Sequence, residues 1–83
     1  PNPFNPSTLI RFDLPHAAHV RLSIYDVSGR LVATLADRVM EPGRREMRWD
    51  GRDASGNSAA SGIYFYRLVA GEFVMTRKMV LLR

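Results

Sequence analysis

Apolar and polar residues alternate along most of this chain, and the alternation limits what the chain can fold into. In the segment that starts at position 8, apolar and charged side chains alternate at Ile10, Arg11, Phe12, Asp13 and Leu14. A period of two places one face of an extended segment against a core and the other face in solvent. No segment of ten or more residues shows the 3.6-residue period of a helix. The pattern therefore predicts an all-β chain.

Short alternating segments separated by turn residues predict several strands. These segments cover residues 8–14, 19–26, 31–35, 44–50, 62–69 and 72–82. Gly29 lies in the turn after the second segment, where a short hairpin loop demands a positive φ. Residues 36–43 are expected to form a loop, in which Val39 and Met40 close the edge of the structure. Six or seven short antiparallel strands predict a small β-sandwich.

The expected core follows from the same alternation. In the second segment the side chains expected to point inward are Val20, Leu22 and Ile24, and those expected to point outward are Arg21, Ser23 and Tyr25. Trp49 is expected to be buried. In the fifth segment Arg67 is placed in solvent, where its charge costs little. That orientation turns Tyr64, Tyr66 and Leu68 inward. It leaves Ile63 and Phe65 outside, where exposed apolar groups favour a docking surface.

Composition excludes several classes of protein. The chain has 83 residues, enough for one domain spanning 1–83, and no cysteine, so disulfides and zinc–thiolate sites are impossible. Its longest apolar runs fall far short of the roughly 20 residues that a membrane helix needs. The sequence contains no nucleophile elbow, phosphate loop or dinucleotide fingerprint, and so small a sandwich is expected to have little room for a pocket. We therefore expect neither an enzyme nor a bound cofactor.

The net charge of +4, from twelve basic and eight acidic residues, permits an anionic partner. Binding of nucleic acid would need the basic residues to share one face. Arg44 and Arg48 lie on one side of their predicted strand, whereas Arg45 lies on the other. Nucleic acid is therefore not an expected partner.

The acidic turn around Asp50 and Asp53 is the one candidate for a metal site, because carboxylate oxygens near tight glycines suit hard cations such as calcium. The spacing is not that of an EF-hand, and Arg52 interrupts it. The favoured interpretation is structural: both aspartates close backbone turns, and Asp53 pairs with Arg52 or another arginine. The loop histidines, His16 and His19, are likewise expected to be solvated rather than ligating.

Four motifs occur in a fixed order along the chain. They are Pro1-Asn2-Pro3-Phe4-Asn5-Pro6 at the start, then Asp26-Val27-Ser28-Gly29-Arg30, Gly62-Ile63-Tyr64 and Lys78-Met79-Val80-Leu81. Together they resemble the C-terminal sorting domain of type IX secretion substrates. The stretch from Trp49 to Tyr64 also resembles the Ig-like domain of the flagellar hook-capping protein, a related sandwich. The resemblance spans nearly the whole chain and implies an Ig-like β-sandwich.

The resemblance implies an address label that directs an attached passenger protein to the cell surface or the medium. The positions that match the C-terminal signal of the family are Gly62, Tyr64, Lys78, Val80 and Arg83, and those that match its opening motif are Pro1, Asn2 and Pro3. The implied partners are the outer-membrane secretion machinery, a surface sortase and a passenger on the N-terminal side. The chain is accordingly expected to be the C-terminal domain of a larger exported protein. Many members carry several terminal lysines, whereas here arginines accompany Lys78 alone.

Two other functions fit the sequence. An Ig-like module could assemble within an extracellular appendage or surface layer, with Ile63 and Phe65 forming the contact and self-association as the outcome. A carbohydrate-binding module could instead use Tyr25 and Phe65 as its aromatic platform.

Overall fold

The computed structural model describes residues 8–83, which form six strands and no helix. The strands are β1 (Thr8–Leu14), β2 (Ala18–Asp26), β3 (Leu31–Met40), β4 (Gly43–Trp49), β5 (Gly62–Ala70) and β6 (Phe73–Leu81). They pair antiparallel in a two-stranded sheet, β1-β4, and a four-stranded sheet, β3-β2-β5-β6. The all-β sandwich expected from the alternation is confirmed.

The core lies between the two sheets and is built from every second residue of the strands. Val20, Leu22 and Ile24 on β2 are fully buried, as the alternation predicts. The inward side chains of the other strands include Ile10, Phe12, Leu14, Trp49, Tyr64, Leu68 and Leu81. Burying a large apolar side chain contributes about 1.5–3 kcal/mol, so this single layer supplies most of the stabilisation.

Trp49 and Tyr64 join the two sheets at one end of the sandwich. Their ring centroids are 5.1 Å apart in an edge-to-face arrangement. The indole N–H of Trp49 donates to the carbonyl of Arg52 at 2.9 Å, and the hydroxyl of Tyr64 donates to the carbonyl of Ala60 at 2.6 Å. Both aromatic residues therefore bury their rings while their polar atoms remain hydrogen-bonded to the loop after β4.

The expected loop over residues 36–43 is wrong in its first part, because β3 continues to Met40 and remains paired with β2. The register shifts twice within this pairing, between Leu22 and Ser23 and between Ile24 and Tyr25. Each shift interrupts the inward–outward alternation on β3, so the sequence pattern did not indicate that the strand continues. Met40 is buried as expected, but Val39 is exposed and closes nothing.

Ser23 points to the outer face of the four-stranded sheet, as expected, but is only 2% exposed. β2 is an inner strand of that sheet, so longer side chains on both neighbouring strands flank this short one. Its register partner on β5 is Arg67. The expected solvent-facing serine is therefore a buried one.

The turn between β2 and β3 is organised by Asp26. One carboxylate oxygen accepts hydrogen bonds from the backbone N–H groups of Ser28 and Arg30 and from the Ser28 hydroxyl. These bonds lower the pKa of Asp26, the Ser28 hydroxyl contributing most. Gly29 has φ 85°, which confirms the predicted positive φ.

Residues 8–83 form no helix that is long and apolar enough to cross a lipid bilayer.

Candidate interaction surface

β6 forms one edge of the four-stranded sheet and is accessible over most of its length. Within the described part of the chain it pairs with β5 alone. Lys78 and Val80, two of the residues matched to the C-terminal signal, lie on the outer face of this strand, and Val80 is 54% exposed. The final strand therefore presents both side chains to solvent.

The outer face of β5 supplies apolar neighbours to these two residues. The antiparallel register places Phe65 beside Lys78 and Ile63 beside Val80. Ile63 is 43% exposed and Phe65 is partly buried, so the expectation that both turn outward agrees with the structure. We refer to Ile63, Phe65, Lys78 and Val80 as the β5–β6 patch.

The charge on this face is not neutralised by the sheet around it. Neither Lys78 nor its outer-face neighbour Arg67 forms an ion pair with a residue of the described chain. Asp37 lies on β3, at the opposite edge of this sheet from β6, and is bonded to His19 at 2.5 Å. An apolar strip with two uncompensated cations suits a partner that is apolar and acidic.

Tyr64 and Gly62, also matched to the signal, have other surroundings. Tyr64 is buried against Trp49 and bonded to Ala60, so its side chain holds the sandwich together and is not available at the surface. Gly62 starts β5 with φ 154° and is partly exposed. Of the signal positions, Lys78 and Val80 are thus at the surface, whereas Tyr64 belongs to the core.

Arg83, the fifth signal position, is bonded to the loop between β4 and β5. Its side chain donates to the carbonyl of Ala59 at 2.6 Å and, more closely still, to the carbonyl of Gly51, while its backbone N–H donates to the Ser61 hydroxyl at 3.0 Å. A Cβ at Gly51 would lie 2.9 Å from the Arg83 guanidinium, so the glycine makes this approach possible. No local sequence pattern indicated this long-range attachment.

The opening motif, Pro1, Asn2 and Pro3, lies outside the described residues, as does the Phe4 that follows it.

The two aspartates of the metal candidate are occupied with backbone turns. Asp50 accepts from the N–H of Arg52 at 3.0 Å, and Asp53 accepts from the N–H groups of Ser55 and Asn57 at 2.9 and 3.0 Å. Arg52 donates to the carbonyl of Gly56 at 3.0 Å rather than to Asp53. Residues 8–83 contain no group of three or more metal-ligating side chains. Both aspartates close backbone turns as expected, whereas the expected pairing of Asp53 with Arg52 is wrong.

His19 is exposed and bonded to Asp37, whereas His16 lies exposed in the β1–β2 turn. The hydrogen bond from His19 is the main cause that lowers the pKa of Asp37. The pair joins β2 to β3 across the outer face.

The expectation of little room for a pocket is wrong. A cavity of about 1040 Å³ opens at the end of the sandwich where β1 ends and β6 begins. Its walls are largely apolar and include Phe12, Leu14, Leu68, Ala70 and Phe73. The sequence pattern could not predict this cavity, because the cavity depends on how the strands are divided between the two sheets.

Tyr25 and Phe65, the candidate carbohydrate platform, are cross-strand neighbours on the outer face. Both are partly buried, so their rings offer limited area for stacking.

Comparison with known proteins gives one family and two structural neighbours. The family model described as the FlgD Ig-like domain matches residues 4–72. The crystal structure of FlgD from P. aeruginosa shares the fold, with a TM-score of 0.70 and 24% identity over 90% of this chain. The crystal structure of dimeric latent PorU from Porphyromonas gingivalis matches 100% of this chain, with a TM-score of 0.76 and 26% identity. No curated protein sequence matches the chain.

The chain corresponds to only part of either neighbour, covering 59% of the FlgD chain and 9% of the PorU chain.

Proposed function

The chain belongs to the FlgD Ig-like domain family, and from this premise we propose that it is a sorting module that directs an attached passenger through the type IX secretion machinery. The family is one of non-catalytic structural modules, which agrees with the expectation that the chain is not an enzyme. The more specific role, a label read by the export machinery, is the proposal.

The observation that carries the proposal is the β5–β6 patch on an edge strand. Lys78 and Val80, matched to the sorting signal, lie together on the exposed face of β6, next to Ile63 and Phe65. A folded sandwich with such a face can be bound as a unit, through side-chain contacts and through the free backbone edge of β6. The signal residue Tyr64 then acts indirectly, by fixing the position of β5.

The likeness to PorU supports a role within a larger protein. The whole of this chain matches only 9% of that chain, so a domain of this kind exists as a small part of a far longer polypeptide. The proposed partners are the outer-membrane secretion machinery, a surface sortase and a passenger joined at the N-terminal side. The proposed location is the cell surface or the medium.

The test is export of a fluorescent protein fused to residues 1–83. The fusion carries a signal peptide that delivers it to the periplasm of a host with type IX secretion, and a matched strain without the translocon serves as the control. We expect fluorescence on the cell surface or in the medium of the first strain only. Retention of the intact fusion in the periplasm of both strains would contradict the proposal.

A structural interaction module is the second candidate function. The apolar residues of the β5–β6 patch, Ile63 at 43% exposure and Val80 at 54%, could contact another copy. Concentration-dependent assembly in light scattering, abolished in Ile63→Glu, would favour this function. A monomer that is exported as a fusion would favour the sorting label.

A further inference from the structure

The sandwich has unequal layers. Its short sheet contains β1 and β4, and its long sheet contains four strands that end with β6. With strands about 4.8 Å apart, the long sheet is about 14 Å wide and the short one about 5 Å. Trp49 at the end of β4 shares a cavity wall with residues of β3, so β4 lies towards the β3 side of the long sheet and the two-stranded sheet leaves part of the β6 side uncovered.

The uncovered part of β6 is apolar on the side that faces the core. Phe73 and Met75 belong to the inward row of this strand, as their register partners Ala70 and Leu68 show. Phe73 is nevertheless 57% exposed, because nothing in the described chain lies above it. A large aromatic side chain on the inner face of a sandwich normally packs under the opposite sheet.

Two adjoining cavities occupy the space between β1 and β6. The cavity of about 1040 Å³ and a second of about 390 Å³ share Phe12, Asp13 and Phe73 in their walls. The second continues along β6 past Met75 to Arg77. Together they form one continuous groove, which we call the β1–β6 groove.

The upper wall of this groove is a free strand edge. β1 pairs with β4 on one side and, within residues 8–83, with no strand on the other. The backbone N–H and C=O groups on that free side can bond to an added strand. Such a strand would lie about 4.8 Å from β1 on the side away from β4, over the part of the long sheet that the short sheet leaves uncovered.

We propose that the β1–β6 groove binds an extended segment of a partner polypeptide as the third strand of the short sheet. Its inward side chains are apolar and cover Phe73 and Met75, and one of its residues is acidic. Arg77 favours the acidic residue, because its exposed guanidinium contacts the Met75 sulfur at 3.3 Å and forms no ion pair with a described residue. The other arginines of the groove are already paired, Arg11 with Glu46 at 2.9 Å and Arg44 with Asp13 at 3.4 Å.

A slim extended segment fits this place better than a second copy of the domain. If β1 paired with the β1 strand of a second copy, the two short sheets would join into one. The β6 strands of the two copies, which extend beyond the short sheets, would then clash. The site is separate from the β5–β6 patch, which lies on the opposite face of the long sheet. The proposal therefore does not depend on the sorting function.

The experiment is a nuclear magnetic resonance titration of the 83-residue chain with a peptide that alternates valine and threonine and has a glutamate at its centre. We expect amide shifts along β1 and β6 and new protection of β1 amides from hydrogen exchange. The matched variants are Phe73→Arg, which alters the groove, and Val74→Arg, which alters the outer face at a residue of similar exposure, 51% against 57%. Phe73→Arg should weaken binding about tenfold or more and Val74→Arg less than about twofold, since only the former loses apolar contact with the peptide.

A charge exchange keeps the proposal falsifiable even if Phe73→Arg misfolds. Arg77→Glu should weaken binding of the glutamate peptide and strengthen binding of a peptide that has lysine at its centre. Shifts confined to the outer face, no binding up to about 1 mM, or insensitivity to both Phe73→Arg and Arg77→Glu would overturn the proposal. Nuclear Overhauser contacts between Phe4 and Phe73 in the free monomer would also overturn it, because they would show that the chain's own first residues occupy the groove. The same contacts in a concentration-dependent dimer would overturn it in favour of a second copy.

Discussion

At the scale of single residues, a few polar atoms determine how the strands are connected. Tyr64 combines a buried ring with a hydroxyl bonded to Ala60, so one side chain ties β5 to the preceding loop. Asp26 does the same for the β2–β3 turn with its carboxylate. The sequence predicted that Tyr64 turns inward and that Asp26 lies in a turn. It could not indicate the bond from Tyr64 to Ala60, because that bond depends on the path of a long loop.

Tyr64→Phe is expected to lower the free energy of unfolding by about 1 kcal/mol, because the hydrogen bond from the Tyr64 hydroxyl to the carbonyl of Ala60 is lost. Tyr25→Phe is the matched control, since no described residue bonds the Tyr25 hydroxyl, and its effect should stay within about 0.5 kcal/mol. Urea unfolding followed by Trp49 fluorescence measures both. Equal effects of the two variants would show that the Ala60 bond contributes nothing.

Asp26→Asn is expected to lower the melting temperature near neutral pH, because the amide is a weaker acceptor for Ser28 and Arg30. The pKa of Asp26 in the folded protein lies below the ordinary value of an aspartate, so its ionised form stabilises the fold at any pH above that ordinary value. This contribution is lost as the pH falls through the lower folded pKa. The difference in melting temperature between wild type and variant should therefore shrink in acid.

The control for this pH dependence is Glu41→Gln, since the Glu41 carboxylate makes no hydrogen bond or ion pair with a described residue. Its melting curves should follow those of the wild type at every pH. A difference between wild type and Asp26→Asn that grows as the pH falls would contradict the assignment.

At the scale of elements, the alternation located the strands wherever it was regular. β1, β2, β4 and β5 begin and end within one residue of their predicted bounds. β3 was predicted to end at Leu35, because its two register shifts interrupt the alternation and its last part is an edge with charged residues. The β1–β6 groove was missed for a different reason: a strand pattern does not reveal how the strands are divided between sheets.

Arg83→Ala is expected to speed hydrogen exchange across residues 51–61 and to cost about 1–2 kcal/mol of stability, because the side-chain bonds from Arg83 to Gly51 and Ala59 disappear. Arg77→Ala is the control, since Arg77 lies on β6 without a bond to this loop. Mass spectrometry of deuterium uptake measures the effect. Unchanged uptake in residues 51–61 of Arg83→Ala would show that the attachment does not hold the loop.

At the scale of the whole molecule, one small sandwich presents two surfaces of different character. The β5–β6 patch is flat, apolar and cationic, and the β1–β6 groove is recessed and bordered by a free strand edge. They lie on opposite faces of the long sheet, so both can be occupied at once. This arrangement suits a domain that serves as a module of a larger protein and is recognised by other chains.

The most direct test compares Val80→Asp with Val74→Asp in the fusion export assay. Both residues lie on the outer face of β6 with similar exposure, 54% and 51%, but only Val80 belongs to the β5–β6 patch. Circular dichroism first establishes that both variants retain the wild-type fold. We predict that Val74→Asp is exported like the wild type, whereas Val80→Asp accumulates in the periplasm as it does without the translocon. Equal export of the two variants would contradict recognition through the patch.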